Sequence, residues 1–340
     1  MFRRINILIA AIANVKLAVA AIILSVAATL VLGITGWEEM LRSVPFCCCY
    51  AWMCLILLLV VIKRIMMMCQ ASRLRSHLLP DTAFLLNHLG LLVALTFGTI
   101  SSLSLERLHM TVKLGTPEWR ATDAAPGKMP PEVYERPLAI ELHNFSIEEY
   151  APRYVIVDNE TGATVTGTGW TIEPDSVLEY AAMVLGARDS LGNHDSSHYV
   201  EWHSMGACTA ALVTATNEAT GEKCSGWVSC GSFMFPYRAL RINDRYSAVM
   251  PDREPRRYAS EVTVYTRSGQ SINATIEVNK PLEVEGWKIY QLSYDEKLGR
   301  WSDTSVFELV SDPWLPWVYA GIYMMLAGAL LNFAISRKHH

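Results

Sequence analysis

One histidine in an otherwise apolar run is the residue of this sequence best placed to do chemistry. His88 stands in Leu85-Leu86-Asn87-His88-Leu89-Gly90-Leu91. Hydrocarbon neighbours offer an imidazole no hydrogen-bond partner, and ionisable groups in such runs are functional candidates by default. Two chemistries suit it. Held neutral, the ring is an axial ligand for iron in a flat, apolar cofactor such as haem; bonded to a neighbouring helix, it is packing glue. One histidine does not decide between them, and Asn87 beside it reads as a supporting or interhelical donor.

The remaining reactive side chains suggest less. Cys47, Cys48, Cys49, Cys54 and Cys69 fall in or beside a second apolar run, where small apolar helix residues are a simpler reading than redox thiols. Cys208, Cys224 and Cys230 lie far from them in a polar region. Cys224 and Cys230 could close a structural disulfide in an oxidising compartment, leaving Cys208 free. No C-x-x-C-H is present, so the chain is not itself a c-type haem acceptor. His194, His198 and His203 match no ligand spacing and read as a solvated loop; His77, His109, His339 and His340 read as surface. Neither a nucleophile elbow nor a phosphate-binding loop occurs.

The elements that must position these residues divide the chain. Of 340 residues 51% are hydrophobic and only 18% charged, too apolar for an ordinary soluble domain. The apolar residues gather in four runs, Val15–Ile34, Pro45–Ile62, Thr82–Ile100 and Trp314–Ile335, each long enough to span a bilayer core of about 30 Å as a helix. His88 follows Thr82 by six residues, about 9 Å along the third helix. Arg3, Arg4, Lys63, Arg64, Arg73, Arg75, Arg337 and Lys338 flank the runs, so the positive-inside rule puts both termini in the cytoplasm and the segment between spans three and four outside.

That segment, Ser102–Asp312, carries 19 Lys and Arg against 30 Asp and Glu, a net −11, while the flanks carry 10 against 3, a net +7. Strand-length or alternating apolar runs occupy Leu108–Leu114, Leu138–Phe145, Tyr154–Asp158, Thr209–Thr216, Glu261–Thr266, Asn273–Val278, Trp287–Tyr294 and Ser305–Val310. One helical stretch is expected near Val177–Ala187, and Pro117–Pro137 reads as a loop. The expected fold is therefore a membrane protein of four transmembrane α-helices with a large extracytoplasmic antiparallel β-domain, a sandwich or barrel-like sheet, between spans three and four. Its domains are a three-helix membrane region at 1–101, the β-domain at 102–312, and the fourth helix with a cytoplasmic tail at 313–340. The acidic outer segment excludes nucleic acid as main partner and would steer basic proteins toward it.

Four strings carry a family resemblance: Tyr258-Ala259-Ser260-Glu261-Val262-Thr263-Val264, Ile276-Glu277-Val278-Asn279-Lys280-Pro281-Leu282, Gly286-Trp287-Lys288-Ile289-Tyr290-Gln291-Leu292-Ser293-Tyr294-Asp295, and Asp312-Pro313-Trp314 leading into the last span. Together they resemble the ResB family, also called CcsB, of cytochrome c biogenesis, whose arrangement of spans and outer domain is also similar. The resemblance implies a subunit of a haem lyase complex, not an enzyme alone, in the inner (cytoplasmic) membrane with its outer domain periplasmic. It implies transient b-type haem shared with a polytopic ResC/CcsA-like partner, with His88 as an axial ligand of the haem iron. Apocytochrome c with its C-x-x-C-H is the implied client, and a thiol-reducing thioredoxin-like protein is a further partner of the pathway. The alternative from the residues alone is a non-catalytic membrane-anchored scaffold whose β-domain docks a partner and whose His88 is packing.

Overall fold

The computed structural model describes residues 15–35, 43–68, 78–123, 133–186 and 198–337. The chain separates into two compact units, one of residues Met1–Leu105 with Asp312–His340 and one of Glu106–Ser311.

Among the described residues the first unit contains four helices: α1 Val15–Thr35, α2 Val44–Met68, α3 Leu78–Ser104 and α4 Leu315–Arg337. Within them Phe46–Met68, Leu79–Ser104 and Leu315–Ser336 are long and apolar enough to cross a membrane. The most extensive packing joins α3 and α4, and glycine makes it possible. A Cβ added at Gly90 would lie 2.7 Å from the carbonyl oxygen of Gly321, and one at Gly321 would lie 2.6 Å from the backbone nitrogen of Ala94. Small residues at such a crossing let the backbones touch, which is how helices associate where no hydrophobic drive separates them from lipid. Asp312 caps α4: its Oδ1 accepts from the backbone N–H groups of Trp314 and Leu315 at 3.2 and 3.1 Å, and its Oδ2 accepts the Ser101 hydroxyl at 2.6 Å.

α2 and α3 are longer than the apolar runs suggest. Hydropathy places Lys63 and Arg64 in a loop, but both are helical. A charged residue at a helix end can keep its stem in hydrocarbon and its head group beside a partner, so the run of apolar letters ends before the helix does. The span holding His88 begins at Leu79, which sets His88 about 13 Å along it and nearer its middle than a start at Thr82 implies.

Among the described residues of the second unit the strands pair antiparallel. An eight-stranded sheet has the order β13-β12-β3-β2-β1-β16-β15-β14, with β1 Glu106–Lys113, β2 Glu118–Asp123, β3 Val133–Glu149, β12 Pro255–Thr266, β13 Ser271–Glu277, β14 Leu282–Val284, β15 Trp287–Tyr294 and β16 Thr304–Ser311. It curls until β13 meets β15, nearly closing a barrel. Alternating residues fill the inside: Met110 and Val112 from β1, Ile140 and Leu142 from β3, Val264 from β12, and Phe307 and Leu309 from β16. Two four-stranded sheets complete the unit. One is β10-β11-β4-β5, from Leu240–Arg241, Tyr246–Val249, Val155–Asp158 and Thr164–Val165; the other is β7-β6-β8-β9, from His198–Glu201, Trp170–Val184, Cys208–Asn217 and Lys223–Ser229.

Three expectations need correction. The helix near Val177–Ala187 is the end of strand β6, paired with β8 and β7. Register shifts between Pro174 and Ser176 and between Leu178 and Ala181 break the period of two, so a bulged strand imitates helical spacing. Pro117–Pro137 is not simply a loop, because β2 at Glu118–Asp123 pairs with β1 and β3; residues 124–132 lie outside the described ones. Cys224 and Cys230 are both free thiols. They lie six residues apart along β9 and its exit, about 20 Å at strand rise, whereas a disulfide holds its Cα atoms within about 7 Å.

The resembling strings form turns and strands here. Asn279 takes a left-handed φ of 62° between β13 and β14, a conformation asparagine tolerates. Glu285-Gly286, with φ of 45° and 84°, closes the two-residue turn between Val284 and Trp287 and gives the primed hairpin geometry that matches strand twist.

Candidate functional site

His88 sits on α3, seven residues after Asp81 and four after Phe84, so the three share one helix face. Its Nδ1 lies 2.9 Å from the Phe84 carbonyl oxygen. A carbonyl only accepts, so Nδ1 carries the proton, and the lone pair of the neutral ring is on Nε2. Among the described residues nothing bonds that nitrogen. The Phe84 ring stacks on the imidazole with centroids 3.8 Å apart and 20° between planes. The guanidinium carbon of Arg64, from α2, lies over the Phe84 ring, 4.8 Å from its centroid. Arg64 is held by an ion pair to Asp81. A carboxylate, a guanidinium, a phenyl ring and an imidazole thus run in sequence, and the imidazole presents an open nitrogen.

Asn87 faces α4. Its Nδ2 donates to Ala83 at 3.0 Å, and a Cβ on Gly328 would come within 2.8 Å of that nitrogen. It packs the helix pair and does not join the His88 stack.

The β unit contains a different cluster beside a cleft of about 640 Å³. Glu149 at the end of β3 pairs with both Arg300 and Arg253, the latter at 3.5 Å. Arg253 also pairs with Glu179 of β6 and donates to the Tyr150 carbonyl at 2.8 Å. Arg300 donates to the Glu179 carbonyl at 3.0 Å and lies over the Tyr180 ring at 5.2 Å. Both guanidiniums also donate to the Thr209 hydroxyl, at 3.2 and 3.1 Å. The Arg253 side chain is only 7% exposed, so its charge is offset by protein oxygens. Cys208 and Cys230 line the same cleft, and burial pushes both thiols up, away from the reactive thiolate form.

The other candidates stay apart. His203 bonds Glu201 at 2.8 Å and is exposed, His198 is an exposed strand residue, and His109 is half-buried on β1; His77, His194, His339, His340 and Cys69 lie outside the described residues. No group of three His, Cys, Asp or Glu residues suited to a metal occurs among the described residues. Cys49 Sγ lies 3.7 Å from Ser25 Oγ, joining α1 to α2. Sequence reading missed Arg64, Asp81 and Phe84. The spacing of Phe84 and His88 signals their contact, but nothing in the string pairs Arg64 with Asp81.

Residues 215–302 match the model of the ResB-like family, which covers the end of β8 through the turn holding Arg300. No curated protein matches the chain significantly. The match suggests a role in cytochrome c biogenesis. Over this segment, which takes in Arg253, three of the four resembling strings and Arg300, the chain is ResB-like, consistent with the ResB/CcsB family.

Proposed function

We propose that the chain is the ResB-like subunit of a membrane cytochrome c synthase complex and that His88 provides one axial ligand for haem shared with a polytopic ResC/CcsA-like partner. α1 acts as the first of four spans in the inner membrane, the termini are cytoplasmic, and the β unit is extracytoplasmic, where it meets apocytochrome c. The observation that carries the reading is the Nδ1 bond to Phe84, because it fixes the tautomer whose Nε2 can bind iron. The apolar surroundings and a planar aromatic neighbour suit a flat macrocycle. Haem bound there is cargo, whose vinyl groups end as thioethers on the client's C-x-x-C-H. The protein's own part is to orient the imidazole and exclude water from it. The net −11 of the outer segment would favour encounter with basic clients at low salt.

The test is to purify the chain with its polytopic partner and record the haem spectrum of wild type and His88→Ala. Loss of haem or a changed axial-ligand signature in the variant is expected. Unchanged content and signature would leave the scaffold reading, in which the same Nδ1 bond and ring stack merely pack α3.

A further inference from the structure

The His88 stack begins with a costly residue. Arg64 is a cation in a helix apolar enough to cross a membrane, and such residues are retained for function more often than for stability. Asp81 offsets its charge, yet its Nε–H is buried with no partner among the described residues, a cost that an apolar residue would avoid. What only arginine supplies is a flat cation that can ion-pair at one edge and cover a ring with its face. Arg64 does both: one terminal nitrogen pairs with Asp81, and the guanidinium carbon lies over the Phe84 ring.

We propose that Arg64 is a positioning residue for His88, acting through Phe84. The inference rests on the reading of His88 as an axial ligand. With Asp81 anchoring it, the guanidinium limits the rotation of the Phe84 ring, and that ring, 3.8 Å from the imidazole, limits rotation of His88. The Phe84 carbonyl fixes the same imidazole in its plane through Nδ1. Two restraints from one residue therefore aim Nε2, and Arg64 reaches it from a second helix. α2 can in this way influence ligation without touching the ligand.

The test uses the full chain purified with its polytopic partner, comparing ferric haem EPR g values and haem content per complex for wild type, His88→Ala, Arg64→Ala, Arg64→Lys and Phe84→Leu. Arg64→Ala is expected to shift the g values and lower haem retention by about tenfold, the low end for removing a partner of a ligating histidine. Arg64→Lys keeps the charge but not the flat face, so it should restore assembly without restoring the g values. Phe84→Leu leaves the Arg64–Asp81 pair in place and should give the same shift, which keeps the test valid if Arg64→Ala fails to assemble. Wild-type g values in both Phe84→Leu and Arg64→Lys would overturn the inference while a loss in His88→Ala preserved the ligand reading. A wild-type spectrum in His88→Ala would overturn that reading itself.

Discussion

Both units contain a charged cluster, and the two end differently. In the helical unit the chain of contacts from Asp81 through Arg64 and Phe84 stops at His88, whose Nε2 is left without a protein partner among the described residues. In the β unit two guanidiniums and two carboxylates, with the Thr209 hydroxyl between them, turn inward on one another. The open cluster can bind something; the closed one joins strands. The family match over residues 215–302 and a cleft both take in arginines of the closed cluster, and neither makes it a reaction centre. What distinguishes a site from a brace is an unspent donor or lone pair, not the density of charge.

The comparison breaks most visibly at its two ends. His88→Ala should abolish haem co-purification and leave the thermal midpoint of the chain nearly unchanged, because one half-buried ring contributes little packing. Arg253→Ala should do the reverse. It strands Glu149 and Glu179 beside a single remaining arginine, and removing one partner of a largely buried pair costs about 3 kcal/mol. Denaturant unfolding of the full chain in detergent would measure that loss, while haem content per folded complex stays near wild type. If Arg253→Ala lowered haem content as far as His88→Ala does, the cluster would be part of the site and the distinction would fail.

A smaller effect sharpens the contrast inside the helical unit. Gly321→Leu pushes a side chain against backbone atoms of Ala94 and Gly90 at 2.6 Å, which no rotamer relieves. Overpacking of this kind costs about 1–3 kcal/mol, so the thermal midpoint should fall. The His88 stack is built from α2 and α3, so the spectrum of haem in the surviving complex should not change. A shifted spectrum would mean that the α3–α4 crossing also aims His88.

Much of this was legible because membranes and barrels impose simple periods. Hydrocarbon runs located the four helices, and alternation located β1, β8, β12, β15 and β16, whose inward residues fill a core. Reading failed where a local irregularity disturbed the period, as at the bulges of β6, or where a strand was short and polar, as at β2, β5 and β10. At the candidate site His88 stood out because it is polar among apolar letters. Arg64 and Asp81 did not, since each lies at a helix end, where charges are ordinary, and their pairing depends on how α2 packs against α3. Cys224 and Cys230 were misleading because six residues are close in sequence but far apart along an extended strand.

The last contrast lies within the β unit, between ion pairs made across strands and pairs made along one. Glu277 of β13 accepts hydrogen bonds from Arg257 of β12 and from Lys280, and these hold its carboxyl down from the ordinary 4.5 to about 2. Glu118 is brought to about 2 chiefly by Arg120, two residues along the same strand. A carboxyl whose folded value is depressed stabilises the fold above its unfolded value, and that contribution is lost as pH falls from about 4.5 toward 2. The Arg120 pair can persist in the unfolded chain because its partners are neighbours in sequence, so less of its shift becomes stability. Glu277→Gln, which mimics the protonated state, should therefore lower the thermal midpoint at pH 7 and converge with wild type as the pH drops through that window. Glu118→Gln should open a narrower gap. Both gaps should shrink with added salt, since these pairs are solvent-exposed, and a Glu118 gap as wide as that of Glu277 would show that cross-strand placement gives an ion pair no advantage here.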